Sequence, residues 1–557
     1  MSSGRRGLGL FYRGILSTFP SLAAQFSFCG GESVAGWCTP PVRRGEAETL
    51  KPKPESRNGH TSAVFPASPR LLSRHVLPIQ LRINPARNPI VKCSSITRRA
   101  FLATATTSAA LAYQKAAFAA APNTAKVVPR KLSPNEKLNI AAIGAGGKGA
   151  SDIMHSKDEN IVALCDVDWD RAAEIFEAFP DVPKYRDYRV MLEKHPEIDA
   201  VTVSIPDHSH APAAYMAMKL GKHVYVQKPL THTVAEARLL MNTAREMGVV
   251  TQMGNQGHSG DGVRELCEML WTGAIGQVHE AHIWTDRPYW KNQGVTKPFP
   301  PQTTRDNLDW DRWIGAAPWR PYNDGYCPHD WRAWQDFGSG SLGDMACHVM
   351  DPVYMSLRLG EATHYTVEVL MQEGRNPQTY PVASTIKYSF PARAGMCAVD
   401  VYWYDGFWSD PVTGEKRFNR PKRPEGLPES CVLGDENANG SFFLGETGIL
   451  TQGQYGGKAR LVPDERMLDY KRPDPFLPRI FDHDHTLNWI MGCKGGEAPC
   501  SNFEYSAPFA QLVQVGNLAV KTGKKLRWDN VKGVITNVRH AADFVSKEYR
   551  KGWELPV

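Results

Sequence analysis

Residues 138–154 read LNIAAIGAGGKGASDIM, and this stretch decides the fold of the central part of the chain. A short apolar run ends at Ile143, and Gly144, Gly146 and Gly149 follow in G-x-G-x-x-G spacing before a helix-like segment. Between a strand and a helix, Gly144 permits a tight turn, Gly146 lets a pyrophosphate approach the backbone, and Gly149 allows close packing. The pattern predicts a dinucleotide-binding site.

An acidic residue follows the next apolar run. Ile161–Cys165 (IVALC) ends at Asp166, 22 residues after Gly144. A carboxylate at this place accepts hydrogen bonds from the adenosine ribose and repels a 2′-phosphate, which favours NAD over NADP. The alternative is that Asp166 caps a helix and that Asp168 takes the ribose role.

Apolar runs and helical patterns continue to alternate. Strands are predicted at 200–205, 223–226 and 249–253, and helices at 211–220 and 234–247. This alternation predicts an α/β fold with a doubly wound parallel sheet, in which ligands bind at the carboxyl ends of the strands. Pro206, His210 and Gln227 follow two of these strands and are predicted to line the cofactor site.

The run SIPDHSHAPAAYMAMKLGKHVYVQKPLTHTVAEA at 204–237 resembles the glucose–fructose oxidoreductase/inositol dehydrogenase (Gfo/Idh/MocA) family, and the resemblance spans about 137–557. It implies a Rossmann domain at 137–256 and a substrate-binding α+β domain at 257–557 with a large, mostly antiparallel sheet. It also implies hydride transfer between a sugar or polyol carbon and NAD. The family motif E-K-P is present with Gln227 in place of Glu.

The resemblance assigns the catalytic groups. Lys228, from E-K-P, would stabilise an alkoxide as hydride leaves carbon. Residues 338–351, GSGSLGDMACHVMD, resemble the family pattern that supplies a base, which points to His348 with Asp344 as its partner. A helix would place both, with Asp351, on one face. One alternative is that His348 is a structural histidine, and another is that these residues bind a metal ion. No metal site is predicted, because neither this segment nor 482–485 has Cys or His pairs at the spacing typical of dedicated metal sites.

The second half of the chain shows strand-like runs at 365–371 and 383–390. Before them, 284–337 is rich in tryptophan, which suits the apolar faces of sugar rings but equally suits a structural lid or a homo-oligomer contact. Seven tryptophans lie in this stretch: Trp284, Trp290, Trp310, Trp313, Trp319, Trp331 and Trp334.

The net charge of +7 is unevenly distributed. Residues 1–121 contain 16 Lys or Arg, four Glu and no Asp, whereas the remainder is mildly acidic. The motif at Thr97–Leu102 (TRRAFL) and the Ala-rich stretch after it predict a twin-arginine export signal at 95–121, hence a periplasmic or extracytoplasmic location. Residues 1–94 are predicted to be disordered or a mis-annotated extension, with an organellar transit peptide as the alternative. No nucleic-acid partner and no stable membrane insertion are expected.

Two enzymatic functions fit the sequence. The first is an NAD-dependent dehydrogenase acting on a small-molecule sugar or polyol. The second is an exported NAD-dependent glycosidase that oxidises a sugar carbon transiently and cleaves a bond without net NADH formation. Export favours a tightly bound cofactor in both, because no free NAD pool is expected outside the cytoplasm.

Overall fold

The computed structural model describes residues 128–435 and 438–557. The predictions for 1–94 and 95–121, including the twin-arginine signal, lie outside the described residues. Within the described ranges, no helix combines the length and apolar character needed to cross a membrane.

The first sheet has six strands in the order β3-β2-β1-β4-β5-β6, and all neighbouring pairs are parallel. This confirms the predicted doubly wound sheet. Its strands are β1 (Asn139–Ile143), β2 (Asn160–Cys165), β3 (Lys184–Tyr185), β4 (Ala200–Val203), β5 (His223–Gln227) and β6 (Thr251–Gly254).

Helices connect these strands, and their buried faces are mainly apolar, as parallel sheets covered by crossover helices require. They are α1 (Lys148–His155), α2 (Trp169–Ala178), α3 (Tyr188–Lys194), α4 (Asp207–Lys219) and α5 (Val234–Met247). The predicted helix at 234–247 is confirmed and begins with a Thr233/Glu236 capping box. Helix α4 begins at Asp207, four residues before the predicted start, because Pro206 supplies an extended N-cap.

The second sheet has ten strands and is antiparallel except where β7 pairs with β10. The large, mostly antiparallel sheet is therefore confirmed. Its strands are β7 (Val278–Thr285), β8 (His364–Glu373), β9 (Ala383–Phe390), β10 (Val399–Ser409), β11 (Lys416–Phe418), β12 (Asn439–Gly445), β13 (Gly448–Gln452), β14 (Arg460–Val462), β15 (Leu526–Asp529) and β16 (Val534–Ile535).

The helices of this half pack against the sheet and against the first domain. The longest, α12, carries fifteen buried residues and packs against both α5 and β8. They are α6 (Asp261–Trp271), α7 (Trp310–Ile314), α8 (Gly340–Val349), α9 (Asp351–Ser356), α10 (Arg466–Asp469), α11 (His485–Cys493) and α12 (Phe503–Thr522).

The tryptophan-rich stretch forms a small core of its own. Five of its seven tryptophans are buried there, Trp284 is buried beside the large sheet, and Trp319 is 61% exposed. Most of these rings are therefore structural. Trp313 and Trp331 also reach the wall of the cavity described next.

Candidate active site

One cavity of about 410 Å³ opens beyond the carboxyl ends of the parallel strands. The first domain lines it with the glycine loop, Asp166, and the residues that follow β4 and β5. The second half of the chain contributes Trp331, Arg332, His348 and Tyr455, which come from three separate segments. The fold thus brings the predicted cofactor and catalytic segments to one place.

The glycine loop is shaped for close backbone approach. Gly144 has φ +84°, and a Cβ there would lie 2.5 Å from the Ser204 carbonyl oxygen. A Cβ at Gly149 would overlap the carbonyl oxygen of Gly144, so this glycine sets the packing of α1 on β1 and β4. Gly146 lines the cavity, and α1 begins without a side-chain cap at Gly147. No side chain therefore caps the N-terminus of α1, and the Gly149 N–H donates to the Gly146 oxygen at 3.1 Å. The positive end of a helix at this place is what a dinucleotide site requires.

Asp166 holds this loop. Its carboxylate accepts hydrogen bonds from the backbone N–H of Gly146 and of Asp168, both at 2.8 Å. Burial raises the pKa of Asp166 to about 6. The capping role belongs to Asp168, which caps α2 and pairs with Arg305 at 2.8 Å. The carboxylate of Asp166 is thus placed on the cavity wall, next to the loop that would hold the phosphates.

Cations share this end of the cavity. Lys148, Arg171 and Arg186 line it together with Asp166. The guanidinium of Arg186 lies 4.5 Å above the Trp169 ring. These side chains add positive charge where a dinucleotide carries its phosphates.

Pro206 and Gln227 lie on the cavity wall, but His210 does not. The His210 ring is fully buried behind the wall, with Nδ1 2.8 Å from the Pro229 oxygen and Nε2 2.6 Å from the Ile205 oxygen. Burial lowers its pKa to about 4. The structure therefore gives His210 contacts that tie together the loops after β4 and β5, with no contact to the cavity.

Lys228 follows β5 and is bonded to Asp344. Its ammonium donates to the Asp344 carboxylate at 2.9 Å and to the Asp344 backbone oxygen at 2.8 Å. Arg332 approaches the same carboxylate at 3.4 Å and stacks over the Trp331 ring. Burial alone would raise the pKa of Asp344, but the two cations outweigh it and hold that pKa below its usual value. Asp344 is the counter-ion of Lys228 and Arg332, and no hydrogen bond joins it to His348 among the described residues.

His348 lies one helical turn after Asp344 on α8 and lines the cavity. Its Nδ1 is buried without a hydrogen-bond partner in the described part of the chain. Burial, and then the positive charge of Lys228, lower the pKa of His348 to about 3. The imidazole is therefore neutral at pH 7 and has a lone pair to accept a proton.

Tyr455 is a cavity residue that the sequence did not reveal. Its ring stands edge-on to His348 with centroids 5.1 Å apart, and its side chain packs against Gly257. Its backbone is in the left-handed region at φ +61°, which is uncommon for a bulky residue and is found where surrounding structure fixes it, often at functional sites. It is 44% exposed, so part of the ring is open to solvent.

Asp207 was also missed, although its segment at 206–210 was predicted to lie at the site. It begins α4, lines the cavity and is 4% exposed. Burial raises its pKa to about 7, against the opposing effect of Arg332, Ser339 and Lys228. A carboxyl group directly after a strand of a parallel sheet was the available signal.

The residues weighed as metal ligands do not converge. Asp351 turns away to accept hydrogen bonds from His258 at 2.8 Å and from the Tyr505 hydroxyl at 2.7 Å. At 482–485, Asp484 caps α11, in agreement with the capping interpretation. No group of three or more candidate ligands that could hold a metal ion occurs among residues 128–435 and 438–557 whose side chains are described.

A segment near residue 550 contributes to the wall of the cavity. Trp553 lines the cavity beside Tyr188, and the Arg189 guanidinium lies 4.2 Å above its ring. Arg550 holds this segment by donating to the Gly315 oxygen at 2.9 Å. Because Tyr188 and Asp187 follow β3, which pairs with β2, Trp553 is assigned to the part of the cavity wall near Asp166.

The chain matches two family models in succession. Residues 138–255 match "Oxidoreductase family, NAD-binding Rossmann fold", and residues 263–392 match "Oxidoreductase family, C-terminal alpha/beta domain", both of the Gfo/Idh/MocA family. The two matches cover the glycine loop, Asp166, Lys228, Asp344 and His348.

Three relatives illustrate the similarity. An uncharacterised oxidoreductase of Synechocystis is 25% identical over 55% of this chain and 73% of its own length. A D-glucoside 3-dehydrogenase of Escherichia coli is 28% identical over 26% of this chain and 41% of its length. A glycosyl hydrolase family 109 protein of Shewanella is 29% identical over 33% of this chain and 44% of its length. The chain thus spans less than half the length of the latter two relatives.

A glycine loop open to a pyrophosphate, an acidic residue after β2 and a lysine–aspartate pair beside a neutral histidine lie around one cavity. These features coincide with the segments that the two models match. Residues 138–255 and 263–392, which both contribute to this cavity, thus match the NAD-binding and C-terminal domains of the Gfo/Idh/MocA oxidoreductase family.

Proposed function

We propose that this enzyme transfers hydride between a hydroxyl-bearing carbon of a sugar or polyol and a nicotinamide cofactor. The observation that carries the proposal is that Lys228 and His348 line the same cavity as the glycine loop. A substrate in this cavity would meet a fixed positive charge and a neutral imidazole. These are the two groups that alcohol oxidation needs beside a hydride acceptor.

His348 is the proposed general base. Its imidazole is neutral at pH 7 and lines the cavity, and because Nδ1 is buried, Nε2 is the proposed acceptor of the substrate hydroxyl proton. Lys228 stabilises the negative charge that develops on the substrate oxygen, and Asp344 positions the Lys228 ammonium by a 2.9 Å contact. Trp331 and Tyr455 offer aromatic surface on the same wall to the C–H faces of a sugar ring.

The residues present fit a dinucleotide, which when bound supplies the hydride acceptor. Gly146 would admit its pyrophosphate, Gly144 and Gly149 would allow the turn and the helix packing that this requires, and Asp166 would bind the adenosine ribose. Asp166 favours NAD over NADP, although Lys148, Arg171 and Arg186 would lessen the repulsion of a 2′-phosphate. Tight binding of the cofactor is proposed from the expected export, because no free NAD pool is expected outside the cytoplasm.

Export by the twin-arginine route is proposed from residues 95–121 alone. Replacing Arg98 and Arg99 with Lys should retain the unprocessed chain in the cytoplasm, which fractionation would detect. The predicted homo-oligomer is tested on the processed protein by light scattering.

The NAD-dependent glycosidase is the second candidate, supported only by the partial similarity to a family 109 glycosyl hydrolase. One experiment separates the two. The purified protein is mixed with NAD and a panel of sugars, polyols and aryl glycosides, while NADH absorbance and aglycone release are followed together. Accumulation of NADH supports the dehydrogenase, and aglycone release without NADH supports the glycosidase. Full activity of His348→Ala in either assay would refute the assigned base.

A further inference from the structure

A buried carboxylate joins three elements of the cavity wall. Asp152 on α1 is 2% exposed, and its Oδ2 accepts hydrogen bonds from the Ser204 hydroxyl at 2.7 Å and from the Gln227 amide at 2.8 Å. Lys148, one turn earlier on α1, forms an ion pair with its Oδ1. Asp152 thus ties the helix after the glycine loop to the residues that end β4 and β5.

Gln227 is the residue directly before Lys228. Its side chain is 6% exposed and packs on Gly254, so it has little freedom to turn away from Asp152. A glutamate at this position would place a second carboxylate oxygen about 2.8 Å from the first, with only the half-exposed Lys148 to compensate both. Two carboxylates at such a distance cannot both be ionised without a large cost.

We propose that Asp152 and Gln227 act as one positioning pair that holds a single negative charge, and that this pair sets the relative placement of the glycine loop and Lys228. The amide at 227 is needed because the carboxylate is at 152. Neither residue is assigned a chemical step. The inference rests on the proposed function, because it is tested by measuring the affinity for a nicotinamide cofactor.

The test is a charge exchange in the full chain. Gln227→Glu should weaken NADH binding on the order of tenfold, the change equivalent to one pKa unit of interaction. Its affinity should improve as the pH is lowered, because the two carboxylates can then share a proton. The double variant Asp152→Asn, Gln227→Glu restores one carboxylate facing one amide, and it should recover most of the lost affinity.

Binding is measured by NADH fluorescence titration, and the coupling between the two positions is measured independently from urea unfolding of the four proteins of the cycle. Gln256→Glu is the matched control. It adds the same charge to the cavity wall at a side chain bonded to the Tyr225 hydroxyl, and Asp152→Asn should not restore its affinity.

The pairing would be overturned if Gln227→Glu bound NADH with wild-type affinity, or if the double variant bound NADH no more tightly than Gln227→Glu. If the wild-type protein binds neither NADH nor NADPH, the proposed function fails instead. In that case a favourable coupling energy between positions 152 and 227 in the urea unfolding cycle would still support the pair. Additive changes in the free energy of unfolding would overturn it.

Discussion

Replacing Lys228 with Met tests the centre of the proposed mechanism. The change removes the ammonium that lies 2.9 Å from Asp344 but keeps a side chain of similar length. Loss of one preorganised donor beside a developing oxyanion costs about 10²–10³-fold in kcat, or about 2.7–4 kcal/mol. The Asp344 carboxylate stays compensated in part, because Arg332 remains at 3.4 Å. We therefore expect a loss of stability smaller than the 3–5 kcal/mol that breaking a buried pair costs.

The assay is the initial rate of NADH formation with the best sugar or polyol of the panel, with NADH affinity measured separately. A fall in kcat with cofactor affinity nearly unchanged is expected, since Lys228 acts at the substrate oxygen. Lys219→Met is the matched control. Lys219 makes an exposed ion pair with Glu246 on the surface of the same domain, and such pairs contribute at most about 1 kcal/mol.

A Lys228→Met protein that folds, binds NADH and keeps kcat within about threefold of wild type would refute the electrostatic role, because the change would then be worth less than about 0.7 kcal/mol. Equal losses in Lys228→Met and Lys219→Met would also refute it, since the effect would not depend on the cavity.

Three further predictions follow from other features. Gly149→Ala should abolish NADH binding in the titration and destabilise the protein by about 1–3 kcal/mol, because its Cβ overlaps the Gly144 oxygen; normal affinity would refute the packing argument. Tyr455→Ala should raise KM for the sugar while Tyr455→Phe keeps it, since the ring beside His348 is the proposed contact; equal KM in both would contradict it. Acidification from pH 6 to 5 should lower the free energy of unfolding by about 4 kcal/mol. Six histidines bind protons in the unfolded chain but not in the folded one, and this uptake exceeds the number of protons that three buried carboxyl groups bind only when folded. Calorimetry that finds equal or greater stability at pH 5 would contradict this sign. The histidines, whose pKa is lowered by burial, are His208, His210, His223, His232, His348 and His485. The carboxyl groups, whose pKa is raised by burial, are Asp166, Asp207 and Asp405.

Local sequence was sufficient for strands that have a clear apolar pattern. The runs before Gly144 and Asp166 are strands, and 383–390 is a strand with the predicted bounds. Strand β3 escaped prediction because two half-buried residues carry no periodicity. The glycine spacing likewise located the cofactor loop, since its steric requirement lies within a few residues.

The sequence could predict only those site residues that belong to a recognisable motif. The i,i+4 spacing placed Asp344 and His348 on one helix, but it could not show that Asp344 pairs with Lys228, because that contact depends on how α8 packs against β5. The replacement of Glu by Gln at 227 was visible in the sequence. Its partner Asp152 was not, because 75 residues separate the two and helix packing alone brings them together.

The place of Trp553 has a consequence for how the enzyme is made. Gly144 stands near the beginning of the described chain and Trp553 near its end, yet both line one cavity. A ribosome that has released only the first domain has therefore produced the glycine loop without this part of the cavity wall. Contacts of such long sequence separation form late in folding. The complete cavity wall is therefore present only after both halves have been synthesised and folded.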